Sequence, residues 1–338
     1  MLSEIIERLI NFNNLTSHQA CSVMEYIMKG GANDSQVAAF LTALRMKEET
    51  VEEINGFARA MLNMAQKVKS RHPLVVDTCG TGGDKKNTYN ISTTAAFIAA
   101  GAGVIVAKHG NRGVSSSSGS ADVLEALGLN LNLDHQQVIK CIDNIGIGFI
   151  YARKAHAAMA RVAGARKDLG IKTIFNVLGP ITNPAMATGR VLGVYEEKLV
   201  DKVTQCLKSL GIKRALVVYG METLDEISVS GRTLVSDLNN DKVIRYAISP
   251  EDFGLARYRL EELRGGNPSQ NARILIDILR GRQKGAKRAA ALLNGAAAIV
   301  AGGKTENFSE AIAMAKESID KGRAMDKLNR LIEYSQRH

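Results

Sequence analysis

Apolar residues recur at helical spacing through the first seventy residues of the chain. The stretch "TSHQACSVMEYIMKGG" begins with Thr16 and has Gln19 three residues later, which is the signature of a capping box at a helix N-terminus. The stretch "TVEEINGFARAMLNMAQKV" repeats this arrangement with Thr50 and Glu53, and "NDSQVAAFLTALRM" lies between the two. Several short helices without a strand predict a small all-helical N-terminal domain over residues 1–70.

From about residue 73, short apolar runs alternate with helical stretches. The runs "PLVVD", "VIVAK", "RVLGVY" and "RALVVYG" predict strands, and "TLVSDL" and "KVIRYAIS" predict a further strand pair. The stretches "ISTTAAFIAAGAG", "ADVLEALG" and "LVDKVTQCLKSLG" predict helices between them. This alternation predicts an α/β domain over residues 71–338, with a mostly parallel central sheet flanked by helices. We expect a helical segment near residues 160–190 to join it to the first domain.

Three polar loops each follow a short apolar strand, after Val76, Ala107 and Tyr219. In open α/β sheets the ligand lies beyond the carboxyl ends of the strands, so we expect these loops to converge on one cleft. The sequence therefore predicts one site assembled from distant parts of the chain.

The first loop, "DTCGTGGDKKNTYN", is rich in glycine, which allows consecutive backbone N–H groups to face a phosphate. The helix behind the loop adds its positive N-terminal end. The loop matches neither the GxGxxG fingerprint nor a P-loop. Asn90, Ser92 and Thr93 stand where that helix begins, and they either face a ligand or only cap the helix. Taken alone, the loop is equally a tight turn or a phosphate site.

The second loop, "KHGNRG", places two cations and an amide within six residues. Lys108 can meet a phosphate as a point charge, and Arg112 can grip an oxyanion with its planar fork. His109 can be a base, a hydrogen-bond donor or an exposed side chain. The serine run 115–118 either offers hydroxyls to a phosphate or is a solvated linker.

The third loop, "GMETLDEIS", contains the adjacent carboxylates Asp225 and Glu226. Beside cations and phosphate, such a pair suits Mg²⁺, which commonly bridges protein carboxylates to substrate phosphates. A surface turn and acid–base chemistry are the alternatives.

Charge and composition narrow the class of partner. Lys+Arg 44 against Asp+Glu 34 gives a net charge of +10, which suits an anionic ligand. Because the basic residues are scattered and aromatic residues make up 5% with no tryptophan, we expect no nucleic-acid partner. The four cysteines form no CxxC pair, the N-terminus is unlike a secretory signal, and no apolar run suits a bilayer. We therefore expect a cytoplasmic protein without a membrane partner.

Six segments, in this order, resemble the anthranilate phosphoribosyltransferases of tryptophan biosynthesis. They are "GTGGD" (80–84), "NTYNIST" (87–93), "KHGNR" (108–112), "SGSADVLEALG" (118–128), "NVLGPITNP" (176–184) and "DE" (225–226). The resemblance implies a small helical domain hinged to a larger α/β domain, and a homodimer. It implies transfer of the phosphoribosyl group of phosphoribosyl pyrophosphate (PRPP) to the amine of anthranilate, with Mg²⁺ and release of pyrophosphate.

The resemblance also assigns residues to each substrate. Those implied to bind PRPP are Gly80, Gly82, Gly83, Asp84, Thr88, Asn90, Ser92, Thr93, Lys108 and Ser120. Those implied to bind anthranilate are Gly80, His109, Asn111, Arg166 and Gly179. The implied metal ligands are Ser92, Asp225 and Glu226. Without the resemblance, Arg166 is one cation on a solvated helix face.

The chemistry agrees with this interpretation. An aniline-type nitrogen is already unprotonated at neutral pH, so positioning and electrostatic stabilisation of the leaving pyrophosphate suffice without a strong general base. Ser117 stands where many relatives have Lys or Arg, which removes a possible phosphate cation. Two alternatives are a pyrimidine nucleoside phosphorylase-like enzyme and a non-catalytic PRPP-binding protein.

Overall fold

Four helices form the N-terminal part of the chain in the computed structural model, which describes residues 2–113 and 117–337. They are α1 (Leu2–Ile10), α2 (Ser17–Met28), α3 (Asp34–Lys47) and α4 (Val51–Met64). Both expected capping boxes are present: Thr16 Oγ1 accepts from Gln19 N, and Thr50 Oγ1 accepts from Glu53 N, each at 3.2 Å. Residues 2–75 contain no strand, so the all-helical N-terminal prediction is confirmed.

The described residues then form one seven-stranded sheet. Its strands are β1 (Val76–Thr78), β2 (Val106–Gly110), β3 (Ile147–Tyr151), β4 (Gly189–Gly193), β5 (Arg214–Gly220), β6 (Thr233–Asn239) and β7 (Lys242–Ile248). Their spatial order is β3-β2-β1-β4-β5-β6-β7. The first five strands are parallel, and β6 and β7 form an antiparallel pair at one edge. The prediction of a mostly parallel sheet is confirmed.

Helices cover both faces of this sheet. They are α5 (Ile91–Gly101), α6 (Ser120–Ala126), α7 (His135–Ile145), α8 (Ala152–Ala155), α9 (Ala160–Leu169), α10 (Ile174–Ile181), α11 (Leu199–Ser209), α12 (Pro268–Leu279), α13 (Ala286–Ala301), α14 (Phe308–Asp320) and α15 (Arg323–Gln336). None of the helices in the described ranges is both long and apolar enough to cross a membrane.

The sheet divides the apolar interior into two cores, one on each face. Strand β5 contributes to both, because successive side chains of a strand point to opposite faces. Leu216 and Val218 pack with α5, α7 and α12–α15 on one face. Ala215, Val217 and Tyr219 pack on the other face with α11 and the N-terminal helices. The helical region is therefore joined to one face of the sheet by a continuous apolar core.

Helices α9 and α10 contribute to this second core. Val162 and Ala165 of α9, and Ile174 and Phe175 of α10, are buried among residues of α2, α3 and α4. A helical segment at residues 160–181 thus packs against the N-terminal helices. The exact domain boundary near residue 70 stays a prediction.

Strand β3 is absent from the sequence-based predictions. Its segment "IGFIY" follows α7 directly, and the left-handed Gly146 (φ +89°) ends that helix. Two glycines in seven residues weaken the strand pattern of "GIGFIYA". Five consecutive residues pair with β2, so the neighbouring strand and burial decide the structure here.

Candidate active site

The three polar loops meet at the carboxyl ends of β1, β2 and β5. Gly82 N in the first loop donates to Asp225 Oδ2 in the third loop at 2.6 Å. Ser92 N, at the start of α5, donates to Glu226 Oε1 at 3.1 Å. Lys108 Nζ of β2 lies 3.5 Å from Ser92 Oγ. The expected convergence of the loops on one site is therefore present.

Residues 79–90, which we call the glycine loop, have a backbone that favours glycine. Gly82 and Gly83 adopt φ values of +67° and +76°, in the left-handed region where other residues are strained. Gly80 needs glycine for another reason, because a side chain there would collide with the carboxylate of Asp225. The loop thus brings bare backbone against a carboxylate.

The far end of the glycine loop is anchored to the segment before α12. Thr88 forms an antiparallel bridge with Arg264, and Tyr89 N donates to Leu263 O at 3.0 Å. The buried Tyr89 hydroxyl donates to a backbone carbonyl of α13 at 2.7 Å. Both ends of the loop are therefore held, by β1 on one side and by this bridge on the other.

The N-terminus of α5 is not closed by its own side chains. Asn90 is the N-cap residue, yet its side chain makes no capping bond. Its Nδ2 donates to Ser118 O at 3.2 Å, and its Oδ1 accepts from Asn271 Nδ2 at 2.9 Å. Thr93 Oγ1 is buried and has no hydrogen-bond partner among the described residues. The interpretation of Asn90 as a simple helix cap is therefore wrong, and a polar atom at this end lacks a partner.

Asp84 of the glycine loop lies close to the carboxylates of Asp225 and Glu226. Asp84 Oδ1 accepts from Lys86 N at 3.0 Å, while its Oδ2 is buried without a partner among the described residues. Burial, followed by the charge of Asp84, raises the pKa of Asp225 to about 7. Burial, followed by the charge of Asp225, raises the pKa of Glu226 well above its usual range. Ionising all three is unfavourable without a nearby cation.

This donor set fits Mg²⁺ that arrives with a phosphate. Residues 2–113 and 117–337 contain no group of three or more His, Cys, Asp or Glu arranged to hold a metal ion. Mg²⁺, however, commonly takes only one or two protein carboxylates and completes its shell with water and substrate phosphates. Asp225 and Glu226 supply such carboxylates. Ser92 and Glu226 also line a cavity of about 10 Å³, roughly the space of one water molecule.

Lys108 lies beneath this site and not in open solvent. Its side chain is buried, and Nζ donates to Thr78 O at 2.5 Å. Its Nζ also lies 3.5 Å from Thr78 Oγ1, and its charge opposes the rise in the pKa of Glu226. Lys108 thus supplies buried positive charge behind the start of α5.

The expectation that Arg112 offers its fork to a ligand is wrong in this structure. Its guanidinium forms ion pairs with Asp122 at 3.0 Å and Glu125 at 2.6 Å. Its Nε donates to the Tyr151 hydroxyl at 3.2 Å. These bonds tie the end of β2 to α6, so the planar fork serves the scaffold.

The remaining residues of the second loop lie near the start of α6. Asn111 is exposed, and its carbonyl accepts from Ser120 Oγ at 3.4 Å. Ser117 Oγ donates to Gly266 O at 3.0 Å, which joins this loop to the segment before α12. The part of the serine run at 115–116 lies outside the described residues.

His109 and Gly179 are brought together from β2 and α10. The ring Nδ1 of His109 lies 3.2 Å from Gly179 O, and because a carbonyl can only accept, Nδ1 carries the hydrogen. Nε2 is buried without a partner among the described residues. Burial, and then the nearby His156 ring at 5.2 Å, lower the pKa of His109 well below its usual range. His109 is a neutral ring with an acceptor nitrogen.

Arg166 of α9 lacks a carboxylate partner. Its guanidinium carbon lies 5.1 Å from the ring centroid of Phe175, and the side chain is half-buried. It has no ion pair or hydrogen bond among the described residues. Burial lowers its pKa. A half-buried cation over an aromatic ring favours an aromatic carboxylate as ligand.

Sequence reasoning missed four residues that contribute to this region. Asp77 and Arg190 form a buried ion pair at 3.0 Å directly below the site. Asn271 donates a hydrogen bond to the side chain of Asn90, and Lys172 lies against Gly83 of the glycine loop. No local pattern marks these residues, because each acts across a long sequence separation.

Comparison with known proteins gives the same class as the fold and the site. A family model described as "Glycosyl transferase family, helical bundle domain" matches residues 3–65. A second, described as "Glycosyl transferase family, a/b domain", matches residues 72–325. The fold and site thus define a glycosyl transferase that has both a helical bundle and an α/β domain.

Individual relatives narrow this class. The anthranilate phosphoribosyltransferase of Acetivibrio thermocellus is 48% identical over 335 residues, covering 99% of this chain and 97% of that protein. The crystal structure of the Thermus thermophilus enzyme superposes with a TM-score of 0.93 at 39% identity, covering 98% and 99% of the two chains. The chain belongs to the anthranilate phosphoribosyltransferase family.

The Saccharomyces cerevisiae relative has been solved with ligands. Its complex with PRPP and Mg gives a TM-score of 0.92 at 30% identity, covering 100% of this chain and 98% of that one. Its complex with 4-fluoroanthranilate gives a TM-score of 0.90 at 29% identity, with the same coverage.

Proposed function

We propose that this chain transfers the phosphoribosyl group of PRPP to the amine of anthranilate and releases pyrophosphate. Membership of the family supports this reaction, and so does the meeting of a glycine loop and an acidic pair at one cleft. The observation that carries the proposal is the hydrogen bonding of the glycine loop and the start of α5 to Asp225 and Glu226. It combines phosphate-binding backbone and Mg²⁺-type ligands in one place.

PRPP binds at the glycine loop in this proposal. Each phosphate brings roughly −1.5 to −2 charge at neutral pH, and the N-terminus of α5 and buried Lys108 supply positive potential. Further contacts come from residues around these elements. They are Gly80, Gly82, Gly83, Asp84, Thr88, Asn90, Ser92, Thr93 and Ser120.

Anthranilate binds on the α10 side of the cleft in this proposal. Arg166 pairs with its carboxylate, for which the guanidinium has no competing acidic partner among the described residues. The backbone at Gly179 has open space where a side chain would stand, which leaves room for an aromatic ring. His109, Gly80 and Asn111 complete this set.

The reaction forms a C–N bond at C1 of the ribose and breaks the C1–O bond to pyrophosphate. One N–H proton must leave the amine. That proton becomes acidic as the C–N bond forms and passes to solvent or to the departing pyrophosphate, so no strong base is needed for an unprotonated aromatic amine. His109 stays a neutral neighbour of the aromatic substrate in this proposal. Asp225 and Glu226 would hold Mg²⁺, which would supply positive charge to the departing pyrophosphate. The chain's own residues hold both substrates in line and limit the access of water to C1.

We also propose that the protein is a homodimer and that it is cytoplasmic. We infer a homodimer formed through the N-terminal helices, where the large apolar side chains Ile10 and Phe12 are 55% and 66% exposed. The four cysteines are free thiols, as expected in a reducing cytoplasm. Light scattering during size-exclusion chromatography tests the dimer, and a monomer mass would refute it.

Anthranilate fluorescence provides the main test of the function. Its decrease with time is expected only when protein, PRPP and Mg²⁺ are all present, with stoichiometric release of pyrophosphate. Thymidine with phosphate tests the nucleoside phosphorylase alternative. PRPP binding without turnover would instead indicate a non-catalytic PRPP-binding protein.

Substitution of Arg166 tests the anthranilate subsite. Arg166→Ala is expected to raise the KM for anthranilate by about tenfold to a hundredfold, because a charge-assisted hydrogen bond contributes about 1.5–3 kcal/mol. The KM for PRPP should change much less. Arg161→Ala, at an exposed position of the same helix, is the matched control and should leave both values unchanged. Equal effects of Arg166→Ala on both substrates would contradict the assignment.

A further inference from the structure

Lys172 lies at the junction between the helical region and the sheet. It stands between Gly170, which ends α9 in a left-handed conformation (φ +61°), and Thr173, the N-cap of α10. Its side chain is half-buried, and Nζ lies 3.4 Å from the ring centroid of Tyr195. A cation–π contact of this kind holds the ammonium in one place without neutralising its charge.

The side chain of Lys172 lies against the glycine loop. A Cβ placed on Gly83 would lie 3.1 Å from Lys172 Cε and 3.7 Å from Nζ. Gly83 itself has a positive φ of +76°, so a larger residue there would be strained as well as crowded. The loop that we propose to hold phosphate therefore reaches Lys172 from across the cleft.

Charges of both signs surround Lys172 without pairing with it. Burial has the largest effect on the pKa of Lys172 and lowers it. The charges of Arg45 and Lys85 lower this pKa further, whereas those of Glu196 and Asp225 raise it. No carboxylate lies within 4.0 Å of Nζ in the part of the chain that the structure describes, and no hydrogen bond satisfies its three donors. A half-buried ammonium without an acceptor is unfavourable, and a bound anion would relieve that.

We propose that Lys172 is a further substrate-binding residue, which contacts the pyrophosphate group of PRPP from the helical side of the cleft. This inference rests on the proposed function. It places a cation opposite Asp225 and Glu226, so that the pyrophosphate lies between the glycine loop and the junction that joins α9 to α10. Binding of PRPP then draws the two sides of the cleft together through one side chain.

The position of Lys172 favours pyrophosphate over the anthranilate carboxylate. Lys172 contacts the glycine loop and feels the charge of Asp225, whereas Arg166 lies over Phe175. A lysine ammonium suits a phosphate as a point charge, while the planar guanidinium suits a carboxylate.

Calorimetric titration of PRPP with Mg²⁺, in the absence of anthranilate, tests this role. Lys172→Met is expected to weaken PRPP binding by about ten- to a hundredfold, as for loss of a charge-assisted hydrogen bond. Lys172→Arg, which keeps the charge, should restore binding to within about threefold of wild type. Lys167→Met removes a nearby exposed charge on α9 and should have no effect.

Two further readouts separate binding from a structural role. The anthranilate KM at saturating PRPP and the thermal midpoint without ligand should both be unchanged in Lys172→Met. Lys172→Gln provides the same comparison if the methionine variant does not fold.

Wild-type PRPP affinity in both uncharged variants would overturn the inference while leaving the proposed function intact. An equal rise in the anthranilate KM would also overturn it. If the wild type itself fails to bind PRPP, the proposed function fails and the inference fails with it.

Discussion

Two clusters that contain carboxylates lie within neighbouring strands and loops of the same sheet, and they differ in how the negative charge of those carboxylates is balanced. In the first, Asp77 of β1 accepts from Arg190 Nη1 at 3.0 Å through Oδ2 and from His109 N at 3.1 Å through Oδ1. In the second, Asp225 and Glu226 have no ion-pair partner within 4.0 Å among the described residues.

The difference separates a scaffold cluster from a binding cluster. The Asp77–Arg190 pair is buried and internally neutral, so it holds β1 and β4 in place beneath the glycine loop. In the Asp225–Glu226 pair, burial and then the neighbouring carboxylates raise the pKa values, so the doubly charged form is unfavourable without a nearby cation. Carboxylates therefore serve structure in one cluster and, in our proposal, ligand binding in the other.

Removing the charge of the binding cluster should have the largest effect on activity. Asp225→Asn with Glu226→Gln is expected to lower kcat/KM at least about a thousandfold, because several kcal/mol of electrostatic stabilisation by the metal is lost. Stability should be unchanged or higher, since two crowded carboxylates are gone. Initial rates across a magnesium titration, with urea unfolding in parallel, measure both quantities.

The magnesium titration also tests whether the pair binds the metal. A double variant that keeps wild-type activity and the wild-type magnesium dependence would refute the metal role of this pair. A large loss of stability would instead mean that the pair belongs to the scaffold.

The scaffold cluster should show the reverse behaviour. Asp77→Asn leaves the buried Arg190 without a counter-charge and is expected to lower the free energy of unfolding by about 3 kcal/mol. Urea unfolding monitored by circular dichroism measures the change. The double variant Asp77→Asn with Arg190→Met should recover much of the lost stability, because no uncompensated charge then remains. Unchanged stability of Asp77→Asn would remove the distinction between the two clusters.

The smallest expected effect concerns pH and the histidines beside the scaffold cluster. Burial lowers the pKa of His156, and of His109 even more, so both rings are neutral in the folded protein. Below the unfolded pKa of about 6.5, the unfolded chain binds protons that the folded chain does not. Stability is therefore fully present above pH 6.5 and falls on acidification, by at most about 1.4 kcal/mol per pH unit for each ring.

His156→Asn isolates this contribution. The unfolding free energies of wild type and variant are measured between pH 5 and 7.5, and their difference cancels the groups common to both proteins. The variant should lose less stability on acidification than the wild type. His18→Asn, at an exposed position, is the control. Parallel pH profiles for wild type and His156→Asn would contradict the prediction.

The sequence by itself determined several of the helices and the positions of the three loops. Capping boxes at Thr16 and Thr50, the "RALVVYG" strand and the helix after Asn90 depend on local spacing, and the structure contains each of them. Local patterns suffice there because propensity, capping and burial of one face act between residues close in the chain.

Tertiary structure alone decided which polar groups have partners. Arg112 and Arg190 are both single arginines in the sequence, yet one is tied to Asp122 and Glu125 and the other is buried against Asp77. Lys172 is one lysine after a helix, and only the folded chain brings the glycine loop against its side chain. The partner of a charged side chain can lie far away in the chain, as for Arg190 and Asp77, which are 113 positions apart and are brought together by the order of strands in the sheet. Whether a charged side chain is paired distinguishes one that is available to bind a ligand from one that stabilises the scaffold, and no local sequence pattern predicts this.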